Sequence, residues 1–252
     1  WCWSRQKGKE QPYSAKVLTP TGFVTMGSLK YGDKVISKKG KETTVVDIFE
    51  QGEKDVYKLT FDDDTTAECG LEHLWEFQSR KQRYTTKNWQ VGNLKKILGY
   101  YKKTSNIIWE MDKSHYVAIP LTKPVEFEKK DLKISPYIIG ALLGDGTITG
   151  RTLRFTSEDK DIVDEINYLL PKDYSLKKAT GKYEYSLTGK IGIYRNIIKQ
   201  ELKRLNLHGK NSHTKFIPYD YLHSSINDRI NLLKGLMDTD GYIDNEGYIE
   251  IG

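Results

Sequence analysis

Two stretches of nine residues repeat one pattern 95 positions apart in this chain. Residues 138–146 (Ile-Ile-Gly-Ala-Leu-Leu-Gly-Asp-Gly) and 233–241 (Leu-Lys-Gly-Leu-Met-Asp-Thr-Asp-Gly) each have a mainly apolar run, a glycine at the third place and a final Asp-Gly. The pattern predicts a helix whose small third residue lets a second helix approach closely, with the aspartate at the tip where the chain leaves through a glycine. Two copies at this spacing indicate an internal repeat.

Two such helices, packed side by side, would bring Asp145 and Asp240 together at one end of the pair. A pair of carboxylates at a helix tip is a natural site for a divalent cation that prefers oxygen ligands. The repeat resembles the LAGLIDADG family of homing endonucleases, and the second copy matches the family pattern closely. The resemblance implies an enzyme that uses Mg²⁺ held by the two aspartates to hydrolyse phosphodiesters on both strands of a DNA target.

The rest of the sequence from residue 133 onward predicts mixed α+β structure. Helices are predicted over 136–144, 158–170, 192–205 and 227–237, and strands over 152–156, 174–178 and 183–187. This order resembles the αββαββα repeat of a LAGLIDADG domain, with the second repeat incomplete. Lys215 stands in a Lys-Phe-Ile-Pro stretch that resembles the block whose lysine reaches the active site of intein endonucleases. An exposed lysine before a turn is an equal alternative.

The first half of the chain has a different pattern. Short alternating runs separated by turn residues predict an all-β region between residues 16 and 124. Its strands are predicted over 16–19, 34–37, 43–49, 56–61, 66–69, 74–78 and 116–120. Residues 16–35 resemble the opening block of an intein's Hint domain, and residues 63–75 resemble its second block. The family usually has threonine where this chain has Gly70.

The second block contains His73. Resemblance to inteins implies that this histidine protonates the departing amide nitrogen when the peptide bond before the intein is converted to an ester or thioester, which a positioned imidazole can do. A structural histidine packed beside Trp75 is the alternative. Together with the opening block, the pattern favours the catalytic role.

The junction itself lies at Ser14-Ala15, directly before the first predicted strand. An intein of the ordinary kind begins with Cys or Ser, whose side chain attacks the preceding carbonyl. Either Ser14 is that first residue, or Ala15 is. Because alanine has no attacking atom, Ala15 would mean that the position is disabled or that the downstream nucleophile acts directly. We favour Ala15, with residues 1–14 as a retained stretch of the host (extein) protein; an ordinary flexible N-terminus is the alternative.

A basic stretch joins the two halves. Between residues 78 and 115 there are nine basic residues and two acidic ones, while the net charge of the whole chain is +6. Exposed cations mixed with aromatic rings suit a surface that follows a nucleic-acid backbone, and a solvated loop is the alternative. The candidate DNA contacts in it are Arg80, Lys81, Arg83, Lys87, Lys95, Lys96, Lys102, Lys103 and Lys113. Arg154, on a predicted strand of the second half, is the candidate for contacts to bases.

The sequence therefore predicts a host flank over 1–14, an all-β, horseshoe-like Hint domain over 15–77, a basic connecting and DNA-recognition region over 78–132, and an α+β endonuclease domain over 133–252. Apolar residues make up 37% of the chain and charged residues 29%, and no apolar run is long enough to cross a bilayer. Two cysteines do not make a disulfide framework, which favours a reducing cytoplasm and no membrane partner.

The sequence ends before the strands that would complete the second repeat and the Hint domain, so we expect a complementary C-terminal intein fragment as partner, besides the flanking host protein and double-stranded DNA. Two other functions compete with this one. A LAGLIDADG-type fold without catalysis would only bind DNA, and the two Asp-Gly tips count against it. An autoprocessing protein of the hedgehog type would share the Hint region, but such proteins carry no inserted repeat domain.

Overall fold

The structure is a computed structural model that describes residues 10–103, 109–111, 117–189, 196–245 and 249–251. The chain divides into two units, Trp1–Glu126 and Phe127–Gly252. Each is described by itself below. Within the described ranges, no helix has the length and apolar content that crossing a membrane requires.

The first unit is built from small antiparallel sheets. Its strands are β1 (Lys16–Thr19), β2 (Gly22–Thr25), β3 (Lys34–Ile36), β4 (Glu42–Thr44), β5 (Tyr57–Thr60), β6 (Thr66–Cys69), β7 (Leu74–Ser79), β8 (Gln90–Asn93), β9 (Tyr101–Lys103), β10 (Trp109–Met111) and β11 (Val117–Ala118), with short helices α1 (Arg80–Tyr84) and α2 (Leu94–Leu98). β1 pairs with β2, β3 with β4, β5 with β6 and β9 with β10, while β7 lies between β8 and β11. The predicted all-β character of this half is confirmed.

Two apolar clusters stabilise the first unit. One forms around Val17, Leu29 and Val35 under the first hairpins. The larger one combines side chains of β6 and β7 with Leu94 and Ile97 of α2. The region 78–132, which we expected to connect the two halves, therefore contributes α2 and β11 to the same core. Burial of the apolar face of α2 explains why this basic stretch is ordered there.

The second unit begins with α3 (Pro136–Gly144) and alternates helices with pairs of strands. The elements that follow are β12 (Gly146–Thr147), β13 (Arg154–Thr156), α4 (Lys160–Leu169), β14 (Tyr174–Lys178), β15 (Glu184–Gly189), α5 (Ile197–Arg204), α6 (Tyr219–Leu222), α7 (Ile226–Asp240), β16 (Gly241–Ile243) and β17 (Ile249–Ile251). The first four strands form one antiparallel sheet in the order β12-β13-β15-β14, and β16 pairs with β17. From α3 to α5 the elements follow the predicted αββαββα order.

The core of the second unit lies around α3, whose residues 137–142 are all buried. Its neighbours include Phe155 of the sheet, Ile166 of α4 and Leu202 of α5. A helix that is apolar all round belongs in the interior of a domain. This placement fixes the tip of α3, and with it Asp145, relative to the rest of the second unit.

Some sequence predictions differ from the structure in detail. The strand predicted over 43–49 is only three residues long, as β4. Val45 still packs on the cluster of Val17, Leu29 and Val35, but residues 46–49 are exposed. α7 is longer than predicted and includes Asp240. The chain leaves both helix tips through a glycine, as the pattern predicted, but neither glycine has the left-handed conformation that is common at helix ends: Gly241 has φ −79°, and the φ of Gly146 is not positive either. They are glycines for lack of space: a Cβ would lie 2.6 Å from Leu142 Cα at Gly146 and 2.7 Å from Met237 Cα at Gly241.

Candidate functional site

The two repeated helices pack directly on each other through their glycines. A Cβ added at Gly140 of α3 would lie 2.9 Å from the backbone nitrogen of Leu236 on α7, and a Cβ at Gly235 would lie 2.8 Å from the backbone nitrogen of Ala141 on α3. Both distances are shorter than side chains tolerate, so only glycine allows the two backbones to approach this closely. The close helix pair predicted from the repeat is confirmed.

At the tip of the pair, α7 lies against the last turn of α3. A Cβ at Gly144 would lie 2.8 Å from Thr239 Cβ and 3.2 Å from the carboxyl carbon of Asp240. Asp145, the next residue, caps α3, and its N–H donates to the carbonyl oxygen of Ala141 (3.1 Å). Asp145 is exposed and Asp240 is half-buried. The structure thus brings both predicted carboxylates to one end of the helix pair.

Lys215 lies under the same turn and is not an exposed lysine. Its Nζ donates three hydrogen bonds, to the carbonyl oxygens of Leu143 (2.9 Å), Gly144 (3.0 Å) and Gly146 (2.7 Å). These carbonyls surround Asp145 at the end of α3, where a helix leaves acceptors without intrahelical partners. A lysine at this position satisfies them and complements the negative end of the helix.

The charges at the tip act on one another. Partial burial of the carboxyl chiefly raises the pKa of Asp145, the negative charge of Asp240 raises it further, and the ammonium of Lys215 opposes both. Burial lowers the pKa of Lys215, and the two aspartates oppose that change. Two carboxylates that repel each other beside a cation that is partly removed from water make a site that favours additional positive charge.

A second contact between the helices was missed by the sequence interpretation. The hydroxyl of Tyr137, at the start of α3, donates to Oδ2 of Asp238 on α7 (2.6 Å). Burial chiefly raises the pKa of this phenol, and the bond to Asp238 raises it further. Asp238 is two residues before Asp240, so the bond fixes the register of α7 against α3. The extra aspartate of the second nonapeptide, Asp238 in Asp-Thr-Asp, was the available signal for it.

In the first unit, His73 is buried in the loop between β6 and β7. Its backbone N–H donates to the Gly70 carbonyl (3.2 Å), and its carbonyl accepts from the N–H of Leu94 (3.0 Å). The imidazole packs edge-on against the Trp75 ring, with 5.3 Å between the centroids and 69° between the planes. The backbone and ring contacts hold the imidazole in one place, which both a catalytic and a structural histidine require.

The candidate junction lies on a turn that enters β1. The N–H of Ala15 donates to the carbonyl of Pro12 (3.0 Å), and the carbonyl of Ala15 accepts from the N–H of Met26 (2.7 Å). Ser14 is exposed and Ala15 is half-buried. Upstream, the carbonyl of Glu10 accepts from the N–H of Gly70 (2.8 Å), so the flank reaches the loop that carries His73. The approach of the imidazole to the Ser14–Ala15 peptide stays a prediction.

The candidate DNA contacts of the first unit lie on and around its two short helices. Three of them, Arg80, Lys81 and Arg83, are on α1, and Lys87 follows in a loop; all four are exposed. On α2, Lys95 and Lys96 are exposed, and Lys96 donates to Oε1 of Gln90 (2.8 Å). The side chains of Lys102 and Lys103, and all of Lys113, lie outside the described residues.

Arg154, the predicted base contact, is on β13 in the second unit. Its Nη1 forms an ion pair with Oε1 of Glu184 on the neighbouring strand (2.7 Å). The Arg154 side chain is about half exposed, at 48%, so it is accessible to a base. Because of the ion pair, a base would share the guanidinium with the Glu184 carboxylate. This pairing could not be read from the sequence because the register of β13 and β15 decides it.

Two known proteins are similar to this chain in part. No protein-family model matches the chain. A replicative DNA helicase DnaB from Mycobacterium intracellulare is 24% identical over 254 aligned positions, which cover 96% of this chain and 39% of the helicase. A crystal structure of the gp41-1 intein aligns with 44% of this chain and 84% of its own chain, at 23% identity and a TM-score of 0.29. The chain spans about two fifths of the length of the helicase that it matches.

Proposed function

We propose that this chain is part of an intein. Its first unit is a Hint-type splicing domain, and its second unit is a LAGLIDADG-type homing endonuclease. The nuclease assignment depends on one observation above all. Two helices that share one nonapeptide pattern pack through their glycines and end in Asp145 and Asp240 beside each other. An acidic tip of this kind, next to Lys215, suits phosphodiester hydrolysis.

The residues at the tip fit Mg²⁺. This ion is usually held by one or two carboxylates, with water and substrate phosphate as its other ligands. We assign Asp145 and Asp240 as the protein's ligands for this ion; within the part of the chain that the structure describes, no group of three or more His, Cys, Asp or Glu side chains could hold a metal. Bound there, Mg²⁺ would polarise the phosphate and lower the pKa of a water molecule. Lys215 keeps the carbonyls of the α3 tip in place around Asp145.

The nuclease assignment is tested with a plasmid library that carries random inserts. In the presence of Mg²⁺ we expect the protein expressed from the complete reading frame that contains this chain to linearise a subset of plasmids with a common sequence, and Asp145→Asn and Asp240→Asn to abolish cleavage but not DNA binding. Asp161→Asn, an exposed carboxylate on α4, is the matched control and should cleave normally. Binding without cleavage by the unmodified protein would favour the alternative, a DNA-binding module that has lost catalysis.

The splicing assignment depends on the residues of the first unit. In an N-to-S shift the thiol of the first intein residue gives up its proton and its sulfur bonds to the carbonyl carbon of Ser14. The peptide C–N bond breaks, which leaves a thioester, and an acid gives a proton to the departing nitrogen. We propose His73 as that acid and position 15 as the attacking residue, which alanine disables. The helicase similarity supports this assignment, because it covers most of this chain and only 39% of the helicase, as an element carried within a longer host would.

The test restores the nucleophile in the complete reading frame that contains this chain. Ala15→Cys should make residues 1–14 releasable by added thiol, which mass spectrometry detects. Adding His73→Ala should slow release by about 10²- to 10⁴-fold, the usual effect of losing general-acid help. His213→Ala changes an exposed histidine and should leave the rate unchanged. An Ala15→Cys protein that stays intact with thiol present would count against Ala15 and favour Ser14 as the first intein residue.

A further inference from the structure

The segment before the candidate junction has its own docking contacts in the first unit. Besides the hydrogen bond between the Glu10 carbonyl and the Gly70 N–H (2.8 Å), the carboxylate of Glu10 forms an ion pair with Nζ of Lys54. Only 9% of the Glu10 side chain is exposed. Glutamate is seldom buried to this extent unless its charge is paired, so these contacts make a specific site for it.

Gly70 makes room for this segment. A Cβ at position 70 would lie 2.9 Å from Cβ of Glu10. Because Cβ is the root of the Glu10 side chain, it could not move aside without moving the flank itself. Gly70 stands where Hint blocks usually have threonine, and the docked flank gives a physical reason for this departure.

The Glu10 carboxylate also acts on a neighbouring thiol. Cys69, the last residue of β6, is fully buried. Burial chiefly raises the pKa of this thiol to about 11, and the negative charge of Glu10 contributes to the increase. The Glu10 side chain lies beside Gly70, the residue that follows β6 and begins the loop of His73.

We propose that Lys54 and Gly70 form a docking site for the protein segment that precedes the junction, and that the site selects an acidic side chain five positions before Ala15. The backbone hydrogen bond to Gly70 is available to any residue and does not discriminate. Lys54 supplies the selectivity, because a basic side chain at position 10 would face it with like charge, and a neutral one would lose the ion pair. The proposal rests on the splicing function assigned to the first unit.

The experiment uses the Ala15→Cys protein and measures the rate of thiol-dependent release of residues 1–14. Glu10→Lys and Lys54→Glu should each slow release by about three- to tenfold, and the double variant, which restores opposite charges, should return to within about twofold of the parent. Glu53→Lys, an exposed neighbour of Lys54, makes the same charge change and should have no effect. Equal rates in all variants would overturn the docking site while leaving the splicing assignment intact.

A second measurement does not depend on cleavage. In the protein with alanine at position 15, thermal unfolding of Glu10→Lys, Lys54→Glu and the double variant forms a double-mutant cycle. We expect the double variant to recover at least half of the summed loss in melting temperature, since the two charges interact directly. Strictly additive losses in melting temperature would overturn the docking site, whether or not any variant releases the flank. Absence of release in all variants would instead count against the splicing function.

Discussion

Gly235→Ala tests the contact on which the proposed nuclease site depends. The added Cβ would lie 2.8 Å from the backbone nitrogen of Ala141 and 3.0 Å from the carbonyl carbon of Tyr137. Both are backbone atoms of α3 and cannot rotate away. Since carbon atoms pack comfortably at about 3.5 Å or more, the helices would have to separate by roughly half an ångström or more at the crossing.

Two opposing terms decide the magnitude. Alanine is a better helix former than glycine, which favours the variant by about 1 kcal/mol. Forcing extra volume into a close-packed interior costs about 1–3 kcal/mol, and more where backbone must move. We therefore expect the free energy of unfolding to fall by about 1–2 kcal/mol, equivalent to a melting temperature lower by roughly 3–8 °C. Mg²⁺ affinity should fall too, because the crossing sets the spacing of Asp145 and Asp240.

Denaturant unfolding and calorimetric Mg²⁺ titration measure the two effects. Lys234→Ala introduces the same residue at the adjacent, exposed position of α7 and should change stability by no more than about 0.5 kcal/mol. If Gly235→Ala were as stable as the parent or more so, helix propensity alone would govern this position. The close approach of α3 and α7 would then be refuted as the reason for the glycine.

Three further outcomes follow from the described contacts. Lys215→Met removes the donor for three carbonyls at the end of α3 and should lower the free energy of unfolding by about 2 kcal/mol, measured in denaturant. Asp145→Asn should raise the melting temperature near neutral pH without metal. Because the folded-state pKa of Asp145 is raised, the contribution of this carboxyl to stability is full below the ordinary value of 3.8 and is lost as the pH rises through the folded-state pKa. The gain from the substitution should therefore vanish in acid. Replacing the three basic residues of α1 and Lys87 with alanine should weaken binding to any DNA duplex and reduce the log–log salt slope by about 0.9 for each phosphate that the protein no longer neutralises; an unchanged slope would identify a solvated segment.

The sequence predicted the helix pair because its information is local and repeated. A small residue at a fixed place in an apolar run has one common explanation, close helix packing, and two copies supply both partners. The bounds of α3, Pro136–Gly144, agree with the prediction for the same reason: proline opens the helix and Asp-Gly closes it. The roles of Asp145 and Asp240 in catalysis stay predictions that the proposed assays decide.

What the sequence could not predict depends on contacts between distant residues. α2 was hidden within a basic stretch, and only its burial of Leu94 and Ile97 against β6 and β7 makes it a helix of the core. The ion pair between Arg154 and Glu184 depends on strand register. Likewise, no local signal relates Glu10 to Gly70, 60 positions later, although the unexpected glycine in a block that usually has threonine marked the place.

The tip of the helix pair combines contacts that stabilise it with charges that oppose it. Glycine packing brings the two carboxylates close, and the Tyr137–Asp238 bond fixes the register, yet the carboxylates repel and Lys215 is partly desolvated. Lys215 relieves only part of that repulsion, because its three N–H groups are already committed to carbonyls. A bound divalent cation would relieve the remaining repulsion between the carboxylates. The residues that destabilise the tip without a cation are therefore those that would hold Mg²⁺ most tightly. In Asp145→Asn, stability without metal should therefore rise while Mg²⁺ affinity falls. In Gly235→Ala, both stability and Mg²⁺ affinity should fall.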